Sequence, residues 1–196
     1  MKHFVEETVE VFAHQRTKAG NEYCGDGYFY TCTDQYFICV LADGLGSGIN
    51  AFDSAAAVIS IVEQYHQEDV DAIMHRCNRA LFEKRGAAVA VFKVYFNKKE
   101  FAYSCVGNIR FFLYSSSGKL TYPLPVTGYL SGKPQTFRTQ VYSYEQDSKF
   151  LLYSDGFHFQ GLKTVLNAEK PLQTIAEEIR RKPSSEDATF IIGSLF

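Results

Sequence analysis

Short strand-like segments joined by tight polar turns constrain the fold of this chain more than any other feature. Residues 87–96, 101–106 and 109–114 are rich in the β-branched and aromatic side chains that favour strands. Only a few polar residues, such as Gly107 and Asn108, separate neighbouring segments. Connections this short join antiparallel neighbours. The sequence therefore predicts antiparallel strands, and their number predicts two sheets packed on each other.

Three stretches with apolar side chains on one helical face predict amphipathic helices. They cover residues 55–65, 70–81 and 172–179, and the expected N-caps are Asn50 for the first and the pair Glu68-Asp69 for the second. An amphipathic helix must bury its apolar face, so these helices are expected on the outer faces of the sheets. The predicted fold class is α+β, a four-layer α-β-β-α sandwich of two antiparallel sheets flanked by helices.

Length and charge set limits on the class of protein. The chain has 196 residues, so we expect a single domain over residues 1–196, with a first strand at residues 5–12 and a long exposed loop at residues 122–139. Its 20 basic and 22 acidic residues are interspersed, which argues against nucleic acid or an acidic membrane as partner. The longest apolar stretch falls far short of the roughly 20 residues that cross a bilayer, so a cytoplasmic protein is expected.

Five scattered cysteines without a C-x-x-C pair favour reduced, buried thiols.

Aspartates beside apolar segments carry the strongest functional signal. Three are followed by glycine and a fourth opens the last apolar segment: Asp26-Gly27, Asp43-Gly44, Asp155-Gly156 and Asp187. An Asp-Gly pair is also a strong hairpin signal, and for Asp26 that interpretation is as good as a functional one. Asp43 and Asp155 instead close apolar segments that have no clean partner strand after them. Because loops at strand ends carry ligands on a rigid scaffold, these carboxylates are candidates for one shared site.

The chemistry of such a set is metal binding. Hard divalent cations such as Mg²⁺ or Mn²⁺ prefer oxygen ligands, and carboxylates from four loops could hold two of them. Gly44 would let the chain turn sharply and bring its carbonyl within coordination distance. In a two-metal site, a water between the ions loses a proton near neutral pH and can attack phosphorus. The sequence therefore predicts hydrolysis of a phosphate ester without a covalent intermediate.

The order and spacing of four motifs extend this prediction to a family. The motifs are G-D-G-Y-F at 25–29, A-D-G-L-G-S-G at 42–48, S-D-G at 154–156 and E-D-A-T at 186–189. Together they resemble the PPM-type, metal-dependent serine/threonine phosphatases, and in particular their SpoIIE-like bacterial branch. The resemblance covers nearly the whole chain. It implies phosphoserine or phosphothreonine proteins of a stress-signalling complex, the stressosome of a sigma-factor pathway, as substrates, and a role in negative feedback.

The resemblance also implies a role for each site residue. Asp43 would bridge two Mn²⁺ or Mg²⁺ ions and be central to catalysis. Asp155 and Asp187 would complete the shell of one ion. The Gly44 carbonyl and Asp26 would bind the other ion, Asp26 through a water.

Departures from the family pattern leave two roles without an assigned residue. Leu45 stands where many relatives carry a histidine, so the general acid is unassigned, and His14 and His158 are candidates. Arg16 and Lys18 are candidates for binding phosphate, although a solvated loop end is the more frequent role for such residues.

Three alternative functions remain open at this level. The glycines at 44, 46 and 48 precede a helix and resemble a dinucleotide-binding loop, although their spacing departs from G-x-G-x-x-G. Cys24 lies two residues from Asp26 and could act as a nucleophile if a basic group lay beside it. Finally, the chain could be a non-catalytic binding module of the same fold.

Overall fold

The computed structural model describes residues 1–159, 162–166 and 170–196. Its strands, numbered in chain order, are β1 Lys2–Glu6, β2 Val9–Arg16, β3 Asp26–Cys32, β4 Tyr36–Gly44, β5 Ala87–Tyr95, β6 Glu100–Val106, β7 Arg110–Tyr114, β8 Leu120–Thr121, β9 Gln140–Ser143, β10 Ser148–Tyr153 and β11 Ala188–Leu195. Its helices are α1 Ile49–Tyr65, α2 Val70–Ala80, α3 Leu162–Leu166 and α4 Leu172–Arg180. Within these described residues, no helix is long and apolar enough to cross a membrane.

Two sheets form the centre of the molecule. One has six strands in the order β1-β2-β11-β10-β7-β8, and the other has five in the order β3-β4-β5-β6-β9. Every pairing between these named strands is antiparallel. Short turns join the pairs β1–β2, β3–β4, β5–β6 and β7–β8, where the chain returns directly beside the strand it has just left. The prediction of two antiparallel sheets is confirmed.

Aromatic side chains from both sheets interdigitate in the central core. Phe92 of β5 lies 4.9 Å from Phe150 of β10 and 4.7 Å from Phe111 of β7, measured between ring centroids. All three side chains are fully buried. Burying one large apolar side chain contributes roughly 1.5–3 kcal/mol, so the contact between the sheets is a main source of stability.

Helices cover both outer faces. Val58 of α1 and Ile73 of α2 pack with Val40 on the five-stranded sheet. Ile175 of α4 packs with Ile192 on the six-stranded sheet. The layers therefore follow the order helix, sheet, sheet, helix, and the predicted α-β-β-α sandwich is confirmed.

Three local expectations were wrong. The Gly107-Asn108 turn does not join antiparallel neighbours, because it carries the chain from β6 in the five-stranded sheet to β7 in the six-stranded sheet. Residues 5–12 do not form one strand, because a two-residue turn divides them between β1 and β2, which pair as a hairpin. Asn50 is not an N-cap: α1 begins one residue earlier, and its N-cap is Gly48, whose φ of 72° turns the chain into the helix. The cap of α2 is as expected, since the Asp69 side chain accepts a 2.8 Å hydrogen bond from the amide of Ala72.

Candidate metal centre

The aspartates singled out in the sequence meet at one end of the sandwich. Asp26 and Asp43 face each other as cross-strand partners at the open end of the β3–β4 hairpin. Asp155 follows β10 and Asp187 precedes β11, and these two strands are neighbours in the other sheet. The turn of the β3–β4 hairpin lies at residues 33–35, at the opposite end of the strands. The hairpin-turn interpretation of Asp26 is therefore wrong.

One buried serine links the two sheets at this end. The Ser154 hydroxyl donates a 2.7 Å hydrogen bond to Oδ2 of Asp26. The same hydroxyl accepts a 2.9 Å hydrogen bond from the amide of Thr189 on β11. Asp26 is only 4% exposed, so this contact fixes a carboxylate that water hardly reaches. The serine of the S-D-G motif therefore orients a neighbouring carboxylate.

Two further carboxylates are also held in place. Asp187 accepts hydrogen bonds from the amide of Gly25, 2.8 Å from Oδ2, and from the amide of Lys18, 2.7 Å from Oδ1. Asp155 is exposed, and its Oδ2 accepts a 2.8 Å hydrogen bond from the side-chain amide of Asn108 in the β6–β7 turn. Asn108 is a contributor that the sequence marked only as a turn residue.

Negative charge accumulates at this centre without a basic partner. Burial, followed by the charges of Asp26, Asp155 and Asp187, raises the pKa of Asp43 to about 8. Burial raises the pKa of Asp26 to about 6, against the opposing effect of its hydrogen bond to Ser154. Within the described part of the chain, no lysine or arginine forms an ion pair with any of the four. A proton on Asp43 relieves part of the repulsion near pH 7, and a divalent cation from outside the chain would relieve it without protonation.

The donor set fits a hard divalent cation. Asp43, Asp155 and Asp187 line one cavity of ≈ 250 Å³ together with Gly44. These groups offer carboxylate oxygens, the donors that Mg²⁺ and Mn²⁺ prefer. Among the residues described, however, no three acidic, histidine or cysteine side chains form a group that could hold an ion as they stand. Repulsion between like charges favours separation of these oxygens, and a bound cation would reverse that preference.

The glycines that follow two of the aspartates allow close contact between backbones. A Cβ atom on Gly44 would lie 2.0 Å from the carbonyl oxygen of Ala51 in α1. A Cβ atom on Gly156 would lie 2.1 Å from the carbonyl oxygen of Asp187. Gly44 ends strand β4, so close packing against α1, rather than the sharp turn expected from the sequence, requires glycine there.

The structure excludes His14 as the general acid, leaves His158 as a candidate, and excludes Cys24 as a nucleophile. Burial, with nearby positive charges, lowers the pKa of His14 to about 4, so its ring is neutral near pH 7 and cannot serve as an acid. His158 is exposed and lines a cavity beside Asp155. Burial, followed by the charge of Asp26, raises the pKa of Cys24 to about 12, so this thiol is not a nucleophile near neutral pH.

The two cations proposed for phosphate have structural partners instead. The Arg16 guanidinium donates to the carbonyls of Arg180, at 2.5 Å, and Lys182, at 3.0 Å, where α4 ends. The Lys18 ammonium pairs with Glu186 at 2.7 Å. Both side chains therefore serve to hold the chain in place.

Arg85 is the cation that sequence reasoning missed. A methyl group on Gly46 would lie 2.6 Å from Nη1 of Arg85, so the guanidinium lies directly against the loop that lines the cavity. The amide of Leu45 donates a 3.0 Å hydrogen bond to the carbonyl of Gly86, which ties the neighbouring backbone to the same loop. No sequence signal marks Arg85, because it lies in a polar connection between α2 and β5.

Known proteins resemble this chain in sequence. The family described as Stage II sporulation protein E (SpoIIE) matches residues 33–195. The chain belongs to the SpoIIE family. Phosphoserine phosphatase RsbX of Bacillus subtilis (strain 168) is 41% identical to this SpoIIE-family chain over 191 residues, which are 96% of each sequence. The resemblance to SpoIIE-like PPM-type phosphatases is thereby confirmed.

Two solved structures extend the likeness to the fold. A crystal structure of RsbX in complex with magnesium matches with a TM-score of 0.95 at 40% identity, covering 100% of this chain and 99% of that one. A chain from a structural study of the bacterial stressosome matches with a TM-score of 0.85 at 25% identity, covering 96% of this chain and 100% of that one. The dinucleotide-loop hypothesis is wrong, since the loop after β4 leaves an antiparallel sheet rather than a parallel βαβ unit.

Proposed function

We propose that this protein is a metal-dependent protein phosphatase that hydrolyses phosphoserine or phosphothreonine in other proteins. One observation carries the proposal: four carboxylates from both sheets converge on one end of the sandwich, without a basic partner among the described residues. A cluster of this kind suits divalent cations, and phosphoryl transfer is a reaction in which such ions neutralise developing charge.

The ligand set proposed here is the one that the resemblance to PPM-type phosphatases implies. Asp43 would contact both ions, and the charges of the other three aspartates all act on its carboxyl group. Asp155 and Asp187 would hold one ion. The Gly44 carbonyl and Asp26, acting through water, would hold the other. When bound, Mg²⁺ or Mn²⁺ would supply Lewis-acid polarisation of water and of the phosphoryl oxygens.

The remaining residues prepare the site. Ser154 keeps Asp26 in one orientation, and the amides of Lys18 and Gly25 do the same for Asp187. The guanidinium of Arg85 at the rim of the cavity is available to contact a phosphate oxygen. Preorganised groups of this kind lower the reorganisation that a reaction requires.

Substrates and partners are proposed from the relatives. RsbX is named a phosphoserine phosphatase, and a second relative comes from a study of the stressosome. We therefore infer phosphorylated proteins of a stress-signalling complex as substrates, and a negative-feedback role. Residues 1–196 would act as one catalytic domain, since β2 and β11 pair with each other in the same sheet.

Hydrolysis of a phosphoserine peptide tests the metal centre. Wild-type protein should release phosphate with Mn²⁺ or Mg²⁺ and stop when EDTA is added. Asp43→Asn should lower kcat by at least about a hundredfold, because it removes charge from the position shared by both ions. The matched control is Asp34→Asn, an exposed aspartate at the far end of the same hairpin, which should retain wild-type activity.

The alternative of a non-catalytic binding module predicts a different result. Such a protein would release no phosphate with either cation, and calorimetric titration would show no difference in Mn²⁺ binding between wild type and Asp43→Asn. Full activity of Asp43→Asn would reject the central role of that carboxylate.

A further inference from the structure

We propose that an aromatic groove beside the candidate metal centre binds the segment flanking the phosphorylated residue and recognises an acidic side chain in it. This inference rests on the proposed phosphatase function. The groove has a volume of ≈ 540 Å³, and its walls are formed mainly by Arg110, Phe112, Tyr122, Tyr153, Phe157 and Phe159. These residues belong to β7, the loop that follows β8, the end of β10 and the segment after Asp155.

The groove adjoins the candidate metal centre. Asn108 and Asp155 line both the groove and the smaller cavity that contains Asp43. The hydrogen bond between Asn108 and Asp155 therefore forms the border between the two. A phosphoserine with its phosphate at the metal centre would direct neighbouring residues of its own chain across this border.

Stacked rings give the groove a defined apolar wall. Phe112 stacks on Tyr122 with 4.6 Å between ring centroids and 11° between ring planes. Tyr153 meets Phe159 edge-on, also at 4.6 Å. Rings held by other rings lose little conformational entropy on binding, and aromatic residues are enriched where proteins recognise each other. The wall suits an apolar side chain of a peptide.

The positive charge of Arg110 in the groove favours an acidic residue in the bound peptide. Arg110 is exposed, and its Nη1 donates a 2.6 Å hydrogen bond to the hydroxyl of Tyr122. That bond orients the guanidinium, and no carboxylate of the described residues forms an ion pair with it. The one carboxylate among the residues that line the groove, Asp155, stands at the border with the metal centre and accepts a hydrogen bond from Asn108. Lys182 does not line the groove, but its ammonium lies 5.4 Å from the centroid of the Phe159 ring in the groove wall. An arginine fork binds a carboxylate with two parallel hydrogen bonds, so the groove favours Asp or Glu beside the phosphoserine.

Paired phosphopeptides test this preference. Each pair shares one phosphoserine and differs by Asp or Asn at a single position, from three residues before to three residues after the phosphoserine. The readout is the ratio of kcat/KM for the two members with Mn²⁺. Wild type should prefer Asp by about tenfold at one or more positions, since one charge-assisted contact of 1.4 kcal/mol gives a factor of ten.

Charge reversal at one residue gives the decisive comparison. Arg110→Gln should bring the ratio close to one, and Arg110→Glu should shift the preference to peptides that carry Lys at the same position. Tyr122→Phe keeps the ring but removes the hydrogen bond, so its ratio should lie between those of wild type and Arg110→Gln. Arg138→Ala, an exposed arginine in the 122–139 loop, is the matched control and should keep the wild-type ratio.

The outcomes separate this inference from the proposed function. Equal ratios in wild type and Arg110→Glu, with hydrolysis retained, would overturn the groove and leave the phosphatase intact. Absence of metal-dependent hydrolysis in wild type would overturn the proposed function itself. Thermal unfolding of each variant verifies that it is folded, which is expected because Arg110 is exposed.

Discussion

Asp43 shows how much a single residue owes to its surroundings at this site. Its carboxylate is half-buried, and three other aspartates contribute to raising its pKa to about 8. The residue beside it is equally constrained, since Gly44 touches the backbone of α1. The raised pKa of Asp43 and the close packing of Gly44 thus occur at adjacent positions. The pKa depends mainly on residues that are remote in the sequence, and the packing depends on the helix that follows.

Gly44→Ala should damage the centre through packing alone. The added methyl would lie 2.0 Å from the carbonyl of Ala51, so β4 and α1 must separate. Overpacking of this kind costs about 1–3 kcal/mol or more, and the displaced Gly44 carbonyl should weaken Mn²⁺ binding as well. Urea unfolding and calorimetric titration measure the two effects.

Gly20→Ala is the matched control for that substitution. A Cβ atom there meets nothing within 4 Å, although the φ of 87° is unfavourable for alanine. We expect a cost of about 1–2 kcal/mol and unchanged Mn²⁺ affinity. If Gly44→Ala bound Mn²⁺ as tightly as Gly20→Ala, close packing would not be what positions the carbonyl.

Strand β10 places two buried serines at opposite ends, and they have different tasks. Ser154 follows the strand and connects Asp26 of one sheet to Thr189 of the other. Ser148 begins the strand, and its hydroxyl donates to the carbonyl of Glu145 in the preceding turn. The buried hydroxyl at the end of β10 that faces the candidate metal centre supports the site, whereas the one at the opposite end supports only the fold.

Substitution of each serine by alanine separates these tasks. Ser154→Ala leaves Asp26 and the Thr189 amide without their partner, so it should cost about 1–3 kcal/mol and lower Mn²⁺ affinity. Ser148→Ala should cost about 0.5–1.5 kcal/mol without a change in Mn²⁺ affinity. Denaturant unfolding and calorimetry provide the comparison, and equal Mn²⁺ affinities in both variants would contradict the role given to Ser154.

The molecule as a whole concentrates acidic groups at one end of its sandwich, and its stability should reflect this. Asp43 has a folded-state pKa of about 8 against an ordinary value of 3.8. The folded protein therefore retains a proton that the unfolded chain has released, and stability falls as pH rises through about 8. His14 acts in the opposite direction between pH 4 and 6.5, because its folded-state pKa is lowered to about 4. The effect of Asp43 is thus cleanest between pH 6.5 and 8.

Thermal unfolding in EDTA tests this dependence. The Tm should fall from pH 6.5 to pH 8, and millimolar Mn²⁺ should raise it at pH 8, because a ligand that binds only the folded state stabilises it. Each kcal/mol shifts the Tm by about 2–4 °C in a protein of this size. Asp43→Asn should remove most of the pH dependence, whereas Asp34→Asn should keep it. A rising Tm in wild type over this interval would contradict the carboxylate assignment.

Local patterns in the sequence were enough to predict the layers of the fold. Period-two segments, short turns and amphipathic stretches describe interactions between residues that are close in the chain, and these decide strand, helix and antiparallel return. The same proximity explains why the cap of α2 was expected at Glu68-Asp69, where Asp69 forms it. Prediction from local patterns failed for residues 5–12, because the mixture of apolar and polar side chains there did not reveal the two-residue turn between β1 and β2.

By itself, then, the sequence determined which elements form, in which order, and which aspartates stand at strand ends. Only the tertiary structure decided what lies around them: Ser154 reaches Asp26 across 128 residues of chain, and Arg85 lies against Gly46. The aromatic groove likewise joins β7 to the segment after β10. The physical reason is that stacking two sheets brings together strand ends that are remote in sequence, and side-chain periodicity carries no information about which ends will meet.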